Sequence, residues 1–323
     1  AKPERFESGW ARSLDNYAGY LGELGRSDEA EATARQALEI YEKLAHAKPE
    51  RFESDLAWSL DNYASHLSEL GRSDEAEAKA RQALEIYEKL AHAKPERFES
   101  GWARSLDNYA NHLSELGRSD EAETKARQAL EIYEKLAHAK PERFESDWAR
   151  SLGYYASHLS DLGRSDEAEA KARQALEIYE KIMRANPSQF EYNFILLEMF
   201  ADQCGWLAGK QSLATEYPTT CCDLTPRQQR TLDYRGCFLI AFATNEPSRI
   251  REAIGKAEAC WAAMDASQTR FGEAFRLLLA GLAESRQIAS TLNCNWREDL
   301  VRFRTQRKGW LPSWMQEIAR RAG

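Results

Sequence analysis

Residues 47–92 read AKPERFESDLAWSLDNYASHLSELGRSDEAEAKARQALEIYEKLAH, and this 46-residue phrase decides the fold because it is written four times, from Ala1, Ala47, Ala93 and Ala139. A decayed fifth copy opens at Ala185 with Asn186, Pro187 and Phe190. A fixed period of this size means a stacked array, in which each unit touches mainly its neighbours and none buries its apolar face alone. Residues 1–184 are therefore expected to form an extended surface from units 1–46, 47–92, 93–138 and 139–184. The chain lacks an initiator Met and begins in phase with the repeat, which reads as a fragment of a longer protein.

Each unit reads as two helices. In the second copy Ser54 precedes Leu56, Leu60, Tyr63, Ala64, Leu67 and Leu70, a stripe at helical spacing that stops at Gly71. Ser73 is the expected cap of a second helix, with Asp74 and Glu75 at the positive end of its dipole. Its buried stripe would be Ala76, Ala80, Ala83, Leu84, Tyr87 and Leu90, ended by Pro95. The alanines allow close helix approach, and Phe98, expected in the following loop, could plug the joint between units.

These features resemble the tetratricopeptide repeat (TPR). Gly71 with Ser-Asp-Glu-Ala after it, Tyr63-Ala64 and Leu67, and the small residues Ala76 and Ala83 match that family's turn and packing positions. The set recurs at Gly25, Ala30 and Ala37, at Gly117, Ala122 and Ala129, and at Gly163, Ala168 and Ala175. The unit departs from the family in its period, 46 residues against about 34, with the excess assigned to a longer second helix and linker. It also has Ala80 where the family carries an aromatic. Long repeats of this kind are similar to arrays in large bacterial signalling proteins. The resemblance implies an all-α, superhelical helix-turn-helix solenoid that binds a protein or peptide ligand in a concave groove lined by the first helices.

Internal copies can be compared with one another. Before the turn glycine nine positions vary, the sets starting at Gly9, Trp10, Arg12, Asp15, Asn16, Gly19, Tyr20, Gly22 and Glu23. After it, the variation is confined to the sets at Ala32 and Thr33 and to Ile182, Met183 and Arg184 in the fourth copy. The first-helix stripe Leu14, Tyr17, Ala18, Leu21 and Leu24 is constant, as stacked packing requires. The family's partner-facing positions carry over to Arg12, Asp15, Asn16, Gly19, Gly22 and Glu23, and all of them vary. Extended over the copies, the candidate partner site adds Trp58, Asp61, Asn62, Ser65, Glu69, Arg104, Asp107, Asn108, Asn111, Glu115, Arg150, Tyr154, Ser157 and Asp161. Two accounts of the variation stand side by side: a groove tuned repeat by repeat, or drift at solvated positions.

Trp58 stands where other copies have Arg12, Arg104 and Arg150, and is expected to point outward, where it reads either as an anchor for a partner or as a ring lying flat on its own helix stack. Trp10, Trp102 and Trp148 fall on the buried stripe instead. The carboxylates Asp15, Glu23, Asp61, Glu69, Asp107, Glu115 and Asp161 read either as a groove lining or as a solvated face partly neutralised by Arg104. Lys and Arg are absent from the positions where some TPR proteins clamp a terminal carboxylate. His66, His112 and His158 recur one per unit, and His46, His92 and His138 sit at second-helix ends where a cation suits the dipole, so neither set is spaced as a metal site.

Charge divides the chain. Residues 1–184 carry 27 Lys and Arg against 37 Asp and Glu, while residues 185–323 carry 17 against 15. So acidic an array is a poor match for nucleic acid or an anionic membrane. No apolar run approaches the roughly 18–20 residues of a membrane helix, no signal peptide is present, and the cytoplasm is the expected compartment. Residues 185–209 read as a degenerate fifth repeat's first helix, and 210–323 as a divergent helical cap. Helices are expected at about 190–208, 226–244, 248–264, 267–289, 296–307 and 312–322, with Pro226, Pro247 and Pro312 in first turns.

All six cysteines, Cys204, Cys221, Cys222, Cys237, Cys260 and Cys294, lie in this C-terminal region, without Cys-x-x-Cys spacing and without a His to serve a nucleophile. Arg302, Arg304, Arg307 and Lys308 with Trp310 and Trp314 form the one basic, aromatic stretch. Catalytic residues, a metal and a cofactor are therefore not expected. The favoured function is a non-enzymatic interaction scaffold or sensor module. The alternatives are a catalytic or nucleic-acid-binding C-terminal domain, or a solenoid that self-associates through its repeat ends.

Overall fold

The computed structural model describes residues 3–184, 187–208, 226–264, 266–292, 295–306 and 316. All regular structure among them is helical. Packing divides the chain into two compact units, Ala1–Leu136 and Ala137–Gly323.

The first unit holds α1 (Pro3–Glu23), α2 (Ser27–Ala47), α3 (Pro49–Glu69), α4 (Ser73–Ala93), α5 (Pro95–Glu115) and most of α6 (Ser119–Ala139). From α1 to α5 each helix packs on the next, and the first helices α1, α3 and α5 also touch in succession. The second unit holds α7 (Pro141–Asp161), α8 (Ser165–Met183), α9 (Pro187–Leu207), α10 (Pro226–Ala243), α11 (Pro247–Ala262), α12 (Ala266–Ser285) and α13 (Trp296–Gln306). The chain is thus a TPR-like solenoid of helix pairs with a divergent helical C-terminal region. The expected helix over 312–322 lies outside the described residues, Gln316 excepted, as do Cys221, Cys222, Cys294 and the basic residues beyond Gln306.

Two features of the repeat differ from the sequence reading. The first helix begins at Pro49 rather than after Ser54 and runs for 21 residues. Proline at the first helical position loses nothing, because its missing N–H would be an orphan there anyway. The break that separates it from α2 is one residue, Lys48, whose ψ of 74° leaves the helical region. The excess over the ordinary TPR period is therefore shared between two 21-residue helices and not stored in a linker. Phe52 and Phe98 accordingly lie inside first helices, and Phe52 is buried.

The second difference is the cap. Arg72, not Ser73, stands before α4, and its guanidinium pairs with Glu75 through two bonds of 2.7 and 2.6 Å. Arg26, Arg118 and Arg164 repeat the pairing with Glu29, Glu121 and Glu167. The preceding turn closes as a Schellman motif: Gly71 N–H donates to the Ser68 carbonyl at 2.8 Å and Arg72 N–H to Leu67 at 3.0 Å. Gly71 has φ of 76°, a left-handed conformation that only glycine adopts without strain.

Between the paired helices the alanines are sealed completely. Ala76, Ala80 and Ala83 have no exposed surface, and Ala57 and Ala64 of α3 match them. In the second unit α9 packs on α8, where Arg173 holds Asp202 at 2.6 Å and Gly205 passes close to the Glu169 carboxylate. Farther on, Phe238 stacks with Phe275 and Phe242 at 4.5 and 4.9 Å between ring centres, in a core with Leu232, Ile254 and Leu278.

Candidate partner-binding surface

Residues 58, 61, 62, 65 and 69 lie at three- and four-residue spacing on α3, so they share one stripe of the helix. The stripe on α1 runs through Arg12, Asp15 and Asn16, that on α5 through Arg104, Asp107, Asn108, Asn111 and Glu115, and that on α7 through Arg150, Tyr154, Ser157 and Asp161. Exposure grades across it. Arg12, Asn16, Ser65, Arg150 and Ser157 are exposed, while Trp58, Asn62, Glu69, Arg104, Asn108, Asn111, Glu115, Tyr154 and Asp161 are half-buried. Asp15, Asp61 and Asp107 are buried. The Glu23 side chain lies outside the described residues.

The buried aspartates correct the reading of that row as a solvated acidic face. Asp15 and Asp61 point at the next first helix instead of at solvent. Ser59 Oγ donates to Asp15 Oδ1 at 3.3 Å, and Ser105 Oγ donates to Asp61 Oδ1 at 3.2 Å, both across the seam between successive repeats. In each case Oδ2 has no protein partner. Burial pushes both carboxyls up to about 7, against the weaker opposing pull of Ser59 and His66 on Asp15 and of Arg104, Ser105, His112 and Asn108 on Asp61. These groups hold the row together; they offer little charge to a ligand.

His66, His112 and His158 are buried beside them. His66 Nδ1 approaches Glu69 at 3.6 Å and His112 Nδ1 approaches Glu115 at 3.9 Å, while Ser68 Oγ donates to Glu115 at 2.5 Å across the seam. His158 has no partner for either nitrogen, and burial holds its imidazole down to about 4. Among the described residues no group of three or more His, Cys, Asp or Glu is placed to hold a metal ion. Cys204 and Cys237 are buried, which pushes each thiol up to about 12.

A second set of links was not singled out in the sequence. Tyr63 donates its hydroxyl to Glu31 of the preceding second helix at 2.7 Å, and Arg72 reaches the same carboxylate at 3.1 Å. Tyr109, Glu77 and Arg118 repeat it at 2.7 and 3.3 Å. Within a repeat, Tyr87 donates to the Ser54 carbonyl and Lys89 to Glu53 at 2.9 Å. The signal was present: Glu31, Tyr63 and Arg72 stand at positions identical in all four copies, and an invariant charged residue beside an alanine stripe is a candidate for burial.

Trp58 is half-buried and does not stand fully clear of the helix surface. Arg104, its counterpart one repeat on, lies over the Tyr87 ring at 5.8 Å and donates to its hydroxyl at 3.0 Å. Arg12 sits 3.7 Å from Asp55, and Arg150 sits 2.6 Å from Asp147. Trp102 and Trp148 are half-buried, each tilted against a histidine of the preceding helix, His92 or His138, at 5.6 Å. Trp10, expected on a buried stripe, is exposed, because within its unit no element covers that side of α1.

No helix among the described residues is long and apolar enough to cross a membrane. A family model described as tetratricopeptide repeat matches residues 10–45 and 102–137, in repeats one and three. No curated protein matches the chain. Among solved structures, the apo form of RapI superposes with a TM-score of 0.55 at 13% identity, covering 97% of this chain and 98% of that one. BtubC (BKLC) from P. vanneervenii gives 0.46 at 16% identity over 77% of this chain and 87% of its own. The first of these is a likeness of fold. The repeated units of this chain are thus similar to tetratricopeptide repeats, drawn out to a period of 46 residues.

Proposed function

We propose that the chain is a non-enzymatic scaffold of a bacterial signalling or defence protein that works in the cytoplasm and binds a protein or peptide along the first-helix row, with Trp58, Asn62, Asn108 and Asn111 at its centre. One observation carries this. The row's accessible positions change from copy to copy, while charged outer positions of the second helices such as Arg35, Glu39 and Lys43 stay fixed. Drift at exposed sites alone would scatter changes over both helices. The bacterial setting rests on the resemblance to long-repeat arrays noted above.

An aromatic anchor in a polar row is where binding energy concentrates, and its truncation costs on the order of 2 kcal/mol, about 30-fold in affinity. Peptides selected against the chain from a random display library provide the probe. Trp58→Ala and Asn108→Ala are expected to weaken the selected peptides, Trp58→Ala by about that factor, while Glu85→Ala on a second helix leaves binding unchanged. Equal binding by all three folded variants would overturn the reading.

A further inference from the structure

The three arginines of the first-helix row do not end alike. Arg12 has Asp55 at 3.7 Å, and Arg150 has Asp147 at 2.6 Å, three residues before it on α7. Asp55 and Asp147 occupy one position of the repeat, which is Gly9 in the first copy and Gly101 in the third. In the second copy that aspartate is left to Arg12, because Trp58 stands where an arginine of the same helix would claim it. Arg104 has Gly101 three residues before it, and the aspartate of the following copy, Asp147, is held by Arg150. Among the described residues no carboxylate lies within ion-pair distance of Arg104.

Gly101 does more than withhold a carboxylate. A Cβ there would stand 2.7 Å from Cε1 of Tyr87, so glycine is what lets that buried ring come so close to α5. The half-buried Arg104 guanidinium lies over the ring at 5.8 Å. Tyr87 Oη, which donates to the Ser54 carbonyl at 3.3 Å, accepts from Arg104 Nη2 at 3.0 Å. One edge of the fork is thereby fixed. The rest of it is open, since no Arg104 nitrogen is among the buried polar atoms without a partner. Asp61 feels the Arg104 charge but is sealed in the seam, and burial keeps its carboxyl protonated up to about 7. A guanidinium oriented on an aromatic ring, with N–H groups still unengaged, matches the planar, two-oxygen geometry of a carboxylate.

We propose that Arg104 seats an aspartate or glutamate side chain of the partner, so that the ligand of the first-helix row carries a carboxylate among otherwise uncharged residues. This rests on the row being the binding surface and adds the chemistry of what binds there. The uncharged surroundings follow from the array's own excess of acid, 37 Asp and Glu against 27 Lys and Arg over residues 1–184, which repels a polyacidic segment. A side chain fits better than a chain terminus, because the row's other accessible positions lie both on α3, at Trp58 and Asn62, and farther along α5, at Asn111. A bound main chain therefore runs past Arg104 instead of ending there.

Peptides selected from a random display library against the full chain, then synthesised with acetylated N-termini and amidated C-termini, are the probe. The binders are expected to share an Asp or Glu at one position, and its replacement by Asn or Gln to weaken binding about tenfold. Arg104→Gln in the chain should cost the same factor, and the two changes together no more than either alone, which is the mark of direct pairing. Arg104→Lys, which keeps the charge but not the fork, recovers only part of the affinity. Arg81→Gln removes an exposed cation from α4 and leaves binding unchanged, which separates a local pairing from overall charge. Circular dichroism checks that each variant folds. Peptides weakened by Trp58→Ala but indifferent to Arg104→Gln, losses that simply add, or binding that needs a free C-terminus overturn the proposal and leave the row as the binding surface. Peptides indifferent to Trp58→Ala as well overturn both.

Discussion

At the scale of the residue, the aspartates under the first-helix row make stability depend on pH. Their ordinary value is 3.8 and burial raises it to about 7 for Asp15 and Asp61, so between those limits the folded chain keeps protons that the unfolded chain releases. Their contribution is full below about pH 4 and is lost as pH rises through 7. His158 acts in the opposite sense: neutral in the fold down to about 4 against an ordinary 6.5, it supports the fold above that ordinary value and withdraws support as pH falls. Asp61→Asn keeps an acceptor for Ser105 and removes one ionisation. Urea unfolding should show it gaining on the wild type by roughly 1–3 kcal/mol between pH 5 and pH 8. A difference that does not change with pH would mean that Asp61 is solvated. The sequence supplied the position of these aspartates but not their burial, because an Asp at a family's ligand-facing position and an Asp aimed at a neighbouring Ser have the same spacing. What separates them is the orientation of successive first helices, a property of two repeats together.

At the scale of the element, the period and both apolar stripes were legible in the copies, and so were the C-terminal helices through α13, each to within a few residues. Helix starts were less so. Proline suggests a stop when it follows a helical run, and here it opens the next helix after a single residue. Ala80 shows what the tight pairing costs in freedom. The ordinary repeat carries an aromatic there, whereas this one has a fully buried alanine between two 21-residue helices. Ala80→Phe should therefore destabilise the chain by about 1–3 kcal/mol through overpacking, read as a lower melting temperature. An unchanged melting temperature would show space that the structure lacks. At the turn, Gly71→Ala is expected to cost roughly 1–2 kcal/mol for a left-handed alanine, although nothing stands within 4 Å of the added carbon.

At the scale of the whole molecule, α9 covers the fourth repeat's second helix, and Arg173 meets Asp202 there. Removing residues 185–323 would bare that face, and the truncated chain is expected to run as oligomers in size-exclusion chromatography with light scattering; a monomer as heat-resistant as the full chain would deny α9 a covering role. The seam links have another outcome. Asp15 to Ser59, Tyr63 to Glu31 and Arg72 to Glu31 recur one repeat on with the same residue types. Excising residues 47–92 joins His46 to Ala93, as His92 joins it now, and brings Ser105, Tyr109 and Arg118 against Asp15 and Glu31. The shortened chain should fold cooperatively, with a helical circular dichroism spectrum. For the gene, this makes array length an inheritable variable: strand slippage or unequal crossing-over between near-identical stretches would hand selection longer and shorter proteins that are already foldable, each with one more or one fewer row of ligand-facing side chains.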